Sequence, residues 1–175
     1  MIQPSVTQVI GPYINKEWFR QEHLDRGNAV HGAAKNHLLG LWVPKLEPSH
    51  QPYYDSFRRW ADMAIDKVIL VETRLFSKMY NFHGKPDLIC ILKGETHPAL
   101  VDWKTSQAFF KWWIIQGQAY RHLAQEDKGI VTHKGLSLRL KKDGSGALAD
   151  DYSERNYSAD WIVFQSHLNT YHFYN

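Results

Sequence analysis

The sequence of 175 residues has little cysteine and no long apolar run. Its single cysteine, Cys90, cannot form an intrachain disulfide, and its isolation excludes cysteine-rich zinc and iron–sulfur sites. No apolar segment approaches the roughly 20 residues that a membrane-spanning helix requires, and the N-terminus lacks the pattern of a signal peptide. We therefore expect a cytoplasmic protein with no membrane partner.

The sequence also lacks internal repeats, low-complexity segments and a strong charge of one sign. A net charge of +3, from 21 basic and 18 acidic residues, permits nucleic acid as a partner without requiring it. With 43% hydrophobic and 14% aromatic residues the chain can form a substantial core, which excludes disorder as its main state. We expect one domain over residues 1–175, because this length is close to the commonest domain size.

Two helices are predicted in the first part of the chain. Asp25 can cap a helix that ends before Gly40. Apolar residues at helical spacing indicate a second helix from Tyr54 to about Asp66. The intervening residues 44–52 include three prolines and are predicted to form a connector.

The pattern then changes to that of β-strands. Strands are predicted over residues 68–77, 87–92 and 99–104, and a turn over residues 81–84. The short link at residues 93–98 favours a hairpin between the second and third strands.

A long helix is predicted next, with its cap at residues 105–106 and its end before Gly129. Further strands are expected at residues 130–132 and 136–141, and a closing helix from Ser158. This order of elements predicts a mixed α/β domain with helices packed on a central sheet.

One predicted strand carries a carboxylate and an amine on the same face. Asp102 and Lys104 are two residues apart, so their side chains leave the strand on one side. Asp87 can approach Asp102 across the hairpin, and Glu72 could supply a third acid. Converging carboxylates repel one another unless a cation lies among them, and oxygen ligands favour magnesium or manganese. Such a site could hydrolyse phosphodiesters, with Lys104 positioning water or stabilising the developing charge.

These residues resemble the motif of the PD-(D/E)XK nuclease superfamily, and in particular its RecB-like exonuclease branch. Pro86-Asp87 followed by Asp102-Trp103-Lys104 matches the defining motif. Gln116 and Tyr120 form a Gln-x-x-x-Tyr signature on the next helix. The segment from Gly27 to His31 resembles the early helix that bears the metal-binding histidine of this branch.

The resemblance implies a restriction-endonuclease-like core, with a central mixed sheet flanked by helices, and Mg²⁺ or Mn²⁺ as the cofactor. Lys104 would be the catalytic lysine, and Glu72 would ligate a metal or activate water. Gln116 and Tyr120, four residues apart on one helical face, would brace the site or contact the substrate. The implied metal ligands are His31, Glu72, Asp87, Asp102 and the main-chain carbonyl of Trp103.

The activity implied by the resemblance is that of a metal-dependent deoxyribonuclease in DNA recombination, repair or processing, with exonuclease action as the preferred mode. Small stand-alone members of this branch resemble phage or prophage nucleases. The sequence has no Gly-x-x-x-x-Gly-Lys-Ser/Thr motif, so any unwinding of DNA would come from a helicase or recombination partner. A structure-specific or restriction-type endonuclease and a non-catalytic nucleic-acid-binding module remain open alternatives.

Each signal also has a plainer interpretation. The Asp-x-Lys pair could be an exposed ion pair, Glu72 a solvated residue of an edge strand, and His31 and Tyr120 ordinary surface or core residues. The aromatic run at residues 109–113 could stack on bases or belong to the core. Several basic residues could follow phosphates or simply be solvated: Arg58, Arg59, Lys134, Lys141 and Lys142.

Overall fold

A computed structural model of the chain describes residues 3–14, 20–153 and 157–175. The helices of this part are α1 (Val6–Ile10), α2 (Gln21–Leu38), α3 (Gln51–Ala64), α4 (Trp112–Lys128) and α5 (Tyr157–Tyr174), with a single 3-10 turn at Gly11–Tyr13. Its strands are β1 (Ile65–Val71), β2 (Leu75–Ser77), β3 (Phe82–Gly84), β4 (Leu88–Leu92), β5 (Pro98–Lys104), β6 (Lys134–Arg139) and β7 (Leu148–Asp151).

Five of the strands form a mixed sheet in the order β1-β4-β5-β6-β7. Neighbouring strands are antiparallel except for β5 and β6, which are parallel. A parallel pair needs a crossover connection, and the chain segment that contains α4 supplies it. The remaining strands, β2 and β3, form a separate antiparallel pair.

Helices cover both faces of the five-stranded sheet, so the hydrophobic core has two parts. On one face, α2 and α3 pack over a cluster that includes Phe57, Cys90 and Trp103. On the other face, α1, α4 and α5 pack over a cluster that includes Ile89 and Leu100. Adjacent strand residues such as Ile89 and Cys90 lie in different clusters because successive side chains of a strand point to opposite faces.

The predicted fold class is confirmed at the level of a mixed α/β sheet flanked by helices. The predicted hairpin is present, with β4 and β5 joined by the short link between Leu92 and Pro98. The closing helix is also present, and it begins at Tyr157, one residue before the predicted start. None of the helices within residues 3–14, 20–153 and 157–175 combines the length and the apolar character that a bilayer span requires.

Both early helices begin before the predicted positions. Asp25 is not the N-cap of α2, because the helix already begins at Gln21 and Asp25 is one of its internal residues. The Asp25 carboxylate accepts a hydrogen bond from the side-chain amide of Gln21 at 2.8 Å. The start of α3 at Gln51 is compatible with Pro52, because proline is tolerated in the first turn of a helix. At the other end of α3, Asp66 belongs to β1.

The single strand predicted over residues 68–77 is wrong. β1 ends at Val71, and the next strand, β2, pairs with β3 instead of extending β1. The break lies at Glu72, whose φ of 41° is a left-handed conformation that cannot continue a strand. The predicted turn over residues 81–84 is only partly correct, since Asn81 turns with φ 53° and the next three residues form β3.

The chain after β5 forms a loop where a helix start was predicted. The cap expected at residues 105–106 is wrong, because α4 begins only at Trp112. The Ser106 hydroxyl instead accepts a hydrogen bond from the main-chain N–H of Ala108 at 3.2 Å, which closes a local turn.

The strands after α4 are also displaced from their predicted positions. Residues 130–132 form no strand, and Thr132 instead accepts two hydrogen bonds from Arg121, at 3.0 and 2.7 Å. β6 occupies residues 134–139, two residues before the predicted range. β7 was not predicted because Leu-Ala-Asp-Asp has no β-branched or aromatic side chain; its pairing with β6 makes it a strand.

Tyr152 packs closely against Gly117, so alanine at position 117 should affect stability differently from alanine at an open glycine position. A Cβ at Gly117 in α4 would lie 2.0 Å from the Tyr152 hydroxyl oxygen, whereas a Cβ at Gly32 in α2 would have no heavy atom within 4 Å. We expect Gly117→Ala to lower the free energy of unfolding by about 1–2 kcal/mol, because overpacking outweighs the gain in helix propensity. Gly32→Ala should raise it by about 1 kcal/mol. Urea unfolding measures both changes, and equal stability of the two variants would contradict this packing.

Candidate metal centre

Three separate elements bring predicted metal ligands together at one end of the sheet. His31 lies on α2, Glu72 directly follows β1, and Asp87 directly precedes β4. Because β1 and β4 are antiparallel neighbours, the end of one strand lies beside the start of the other. The main-chain N–H of Glu72 donates a hydrogen bond to the main-chain carbonyl of Asp87 at 2.9 Å, which fixes the two residues side by side.

Glu72 is held in a strained backbone conformation. Its φ of 41° is uncommon for a residue other than glycine, and such conformations are concentrated at functional sites. The side chain is only 9% exposed, so it is not the solvated edge-strand glutamate of the plainer interpretation. Its carboxylate oxygens contact two cationic partners, His31 and Lys85.

The side chains of His31, Glu72 and Asp87 form a compact group. One ligand atom from each residue lies within 4.8 Å of the other two. The Nδ1 atom of His31 is 3.3 Å from Oε1 of Glu72 and 3.3 Å from Oδ1 of Asp87. One imidazole nitrogen and two carboxylate oxygens are donors of the kind that bind divalent cations, so this group could hold such a cation, and its identity as Mg²⁺ or Mn²⁺ stays a prediction.

The charges in this group stabilise one another. Burial lowers the pKa of His31, but the charge of Asp87 and hydrogen bonds with Asp87 and Glu72 outweigh burial and raise this pKa to about 10. The hydrogen bond from His31 lowers the pKa of Glu72 to about 2, against the effect of burial. Lys85 contributes to the same lowering through its Nζ, 2.5 Å from Oε2 of Glu72.

Asp87 is fixed from the strand beside it. Its Oδ2 accepts a hydrogen bond from the main-chain N–H of Trp103 at 2.9 Å, while its Oδ1 faces His31. The indole of Trp103 packs on Phe57 and His31, with ring centroids 4.8 and 5.5 Å apart. Trp103 therefore positions the site through its N–H and its ring, and the role of its main-chain carbonyl as a metal ligand stays a prediction.

A second set of polar side chains extends from β5 to α4. Asp102 and Lys104 form an ion pair in which the two side chains are 5% and 16% exposed, so the interpretation as an exposed pair is wrong. Lys104 Nζ donates to Oε1 of Gln116 at 2.8 Å, and the Gln116 amide donates to the Tyr120 hydroxyl at 3.1 Å. Gln116 thus braces Lys104 from α4, and Tyr120 braces Gln116.

Asp102 lies with Lys104 and not in the three-residue group. Burial raises the pKa of Asp102, and the negative charge of Asp87 acts in the same direction, whereas Lys104 opposes the change. Asp87 therefore lies close enough to Asp102 for the two carboxylates to repel each other. The role of Asp102 as a metal ligand stays a prediction.

Two features of the site were not assigned from the sequence. Lys85 contacts Glu72, and the available signal was its position two residues before Asp87 in the motif segment. Gly84 lies close to α4, since a Cβ at this position would be 2.7 Å from a ring carbon of Tyr120. A larger residue at position 84 would displace Tyr120 and so break its hydrogen bond with Gln116, the residue that binds Lys104.

Comparison with known proteins identifies no family for this chain. No protein-family model matches it, and no curated protein matches it. Its function is therefore inferred from the residues and the geometry of the site.

Proposed function

We propose that the protein is a Mg²⁺- or Mn²⁺-dependent deoxyribonuclease with a restriction-endonuclease-like fold, of the RecB-like exonuclease type. The observation that carries this proposal is the meeting of His31, Glu72 and Asp87 within 4.8 Å of one another, next to the strand that bears Asp102 and Lys104. The group supplies cation ligands, and the strand supplies a positive charge for a phosphate. Both parts are what hydrolysis of a phosphodiester requires.

The topology supports the same proposal. The antiparallel hairpin of β4 and β5 carries the Pro-Asp and Asp-x-Lys segments, and the crossover helix α4 carries Gln116 and Tyr120. All of these residues occur in the order that the resemblance implies. The early helix α2 packs on the other face of the sheet from α4 and adds His31, the residue that the resemblance implies as the metal-binding histidine.

The division of roles follows from the contacts. A divalent cation bound by His31, Glu72 and Asp87 would polarise the phosphodiester and lower the pKa of water. Lys104, held by Asp102 and Gln116, directs a fixed positive charge toward the negative charge that develops on the phosphate. Because the Lys104 side chain is only 16% exposed, solvent screens its charge less than at the surface.

Exonuclease action predicts that linear DNA and covalently closed circular DNA of the same sequence will behave differently. With Mn²⁺ or Mg²⁺, the protein should degrade linear duplex or single-stranded DNA and leave covalently closed circular DNA intact, because an exonuclease needs an end. Gel electrophoresis of both forms over time, with EDTA as the metal-free control, measures this. Conversion of circles to linear DNA would instead support the endonuclease alternative. DNA binding without cleavage in either metal would contradict nuclease function and leave a non-catalytic binding module.

A further inference from the structure

A cluster of aromatic side chains lies beside Lys104 and has no role in the site described above. We call residues 107–113, between β5 and the first turn of α4, the aromatic loop. Phe109 and Phe110 are 38% and 39% exposed, although phenylalanine usually lies in the core. Their rings contact Trp113 at centroid distances of 5.6 and 5.4 Å, with ring planes close to perpendicular. Trp113 itself is buried and anchors the cluster.

The aromatic loop lies directly beside the predicted catalytic lysine. Lys104 Nζ is 5.6 Å from the ring centroid of Trp112 and 5.8 Å from that of Trp113. The exposed rings of Phe109 and Phe110 contact the same tryptophans. These rings therefore lie within reach of a polymer whose phosphate is bound at Lys104.

Hydrogen bonds from a distant segment hold the loop in place. The Gln107 side-chain amide donates to the main-chain carbonyl of Leu140 at 2.9 Å, and Arg139 donates to the main-chain carbonyl of Gln107 at 2.9 Å. The local turn at Ser106 adds a third restraint. The rings are thus presented on a fixed loop, which reduces the conformational entropy lost when a ligand binds.

The loop itself carries no acidic residue, and the carboxylates of Asp102 and Asp150 beside it are each paired with a cation, Lys104 and Arg139. Between Asp102 and Glu126 the sequence has no acidic residue, and the loop itself contributes the exposed cation Lys111. Lys141 and Lys142 immediately follow Leu140, whose carbonyl binds the loop. A protein ligand would need only apolar contacts with these rings. Exposed aromatic rings next to cations instead suit a nucleic acid, whose bases can stack on the rings and whose phosphates can pair with the cations.

We propose that Phe109 and Phe110 stack on unpaired bases of single-stranded DNA whose phosphate backbone passes Lys104. The inference rests on the proposed nuclease function, because that function puts a phosphodiester at Lys104. Unpaired bases are the occupant, since bases within a duplex already stack on their neighbours and offer no free face along the strand. The protein would consequently act on single-stranded DNA or on frayed ends, with no need for sequence-specific contacts.

The test separates bases from phosphates. Fluorescence anisotropy measures binding of a labelled single strand of about 20 nucleotides, a length that exceeds a typical binding site, and of an abasic deoxyribose-phosphate oligomer of equal length, both in EDTA to prevent cleavage. Phe109→Ala and Phe110→Ala should each weaken binding of the base-bearing strand about 5- to 100-fold and leave binding of the abasic oligomer unchanged. Phe110→Trp, which keeps an aromatic ring, should retain binding.

Phe76→Ala is the matched control. Phe76 is 41% exposed on β2, and its main-chain N–H binds Asp127, about 22 Å along α4 from the aromatic loop. Phe76→Ala should bind both oligomers like the wild type. The proposal is overturned if the wild type shows no preference for the base-bearing strand, or if the loop variants lose affinity for both oligomers equally. The binding assay contains no metal, so a protein that prefers bases yet cleaves no DNA would refute the nuclease function and not the stacking surface.

Discussion

Lys104→Met should lower the rate of DNA cleavage about 100- to 1000-fold, which is the effect of removing one preorganised charge from a transition state. Lys104 is the cation of β5 that pairs with Asp102 and is braced by Gln116. Methionine keeps much of the length of the lysine side chain and removes its charge, so the loss reports electrostatic stabilisation of the phosphate. Initial cleavage rates at saturating Mn²⁺ measure it.

The same substitution also affects stability, because the Asp102 side chain is only 5% exposed and would lose its cationic partner. Removing one member of a buried ion pair leaves the other charge without a partner and lowers the free energy of unfolding by about 3–5 kcal/mol. The double variant Asp102→Asn/Lys104→Met removes the buried charge, and it should recover stability without recovering cleavage. Lys93→Met is the matched control, since Lys93 binds the main-chain carbonyl of Asp62 at the far end of β4. A folded Lys104→Met protein that cleaves DNA at the wild-type rate would refute the catalytic role of Lys104.

Asp87→Asn should reduce cleavage by about 100-fold or more, because the substitution removes one of the two carboxylates in the three-residue group. Asparagine can still accept the hydrogen bond from the main-chain N–H of Trp103, so the start of β4 should stay in place. The affinity for Mn²⁺ should fall by at least about 10- to 100-fold, the range seen when residues that merely support metal ligands are changed. Isothermal titration with Mn²⁺ and cleavage assays over a range of metal concentrations measure both effects.

Asp62→Asn is the control for Asp87→Asn. Asp62 is largely exposed at the end of α3 and pairs with His37, so the change removes an equal charge away from the site. It should alter neither Mn²⁺ affinity nor cleavage. If Asp87→Asn binds Mn²⁺ as the wild type does, the assignment of Asp87 as a ligand is wrong.

Local sequence patterns were sufficient for the part of the site that lies on the β4–β5 hairpin and on one face of α4. The short link after Leu92 predicts the hairpin, and the two-residue period of a strand puts Asp102 and Lys104 on one side. The helical period puts Gln116 and Tyr120 on one face, where they bond to each other. Each of these relations spans few residues, so it can be read from the sequence alone.

Relations between distant residues could not be predicted in this way. The left-handed turn at Glu72 is stabilised by a hydrogen bond to Asp87, and the loop at Gln107 by bonds to residues more than 30 positions later. The capping pattern at residues 105–106 places the start of α4 too early because it does not include those bonds. The contact of Glu72 with His31 likewise depends on how α2 packs against the sheet.

The most direct test of the central claim is the anomalous diffraction of crystals soaked in Mn²⁺. The account predicts one strong anomalous peak, with Nδ1 of His31 and carboxylate oxygens of Glu72 and Asp87 at distances of about 2–2.5 Å from it. The same map decides whether Asp102 and the Trp103 carbonyl are also ligands. No ordered Mn²⁺ between these three side chains at saturating metal, or Mn²⁺ bound only elsewhere, would contradict the metal centre and the nuclease function inferred from it.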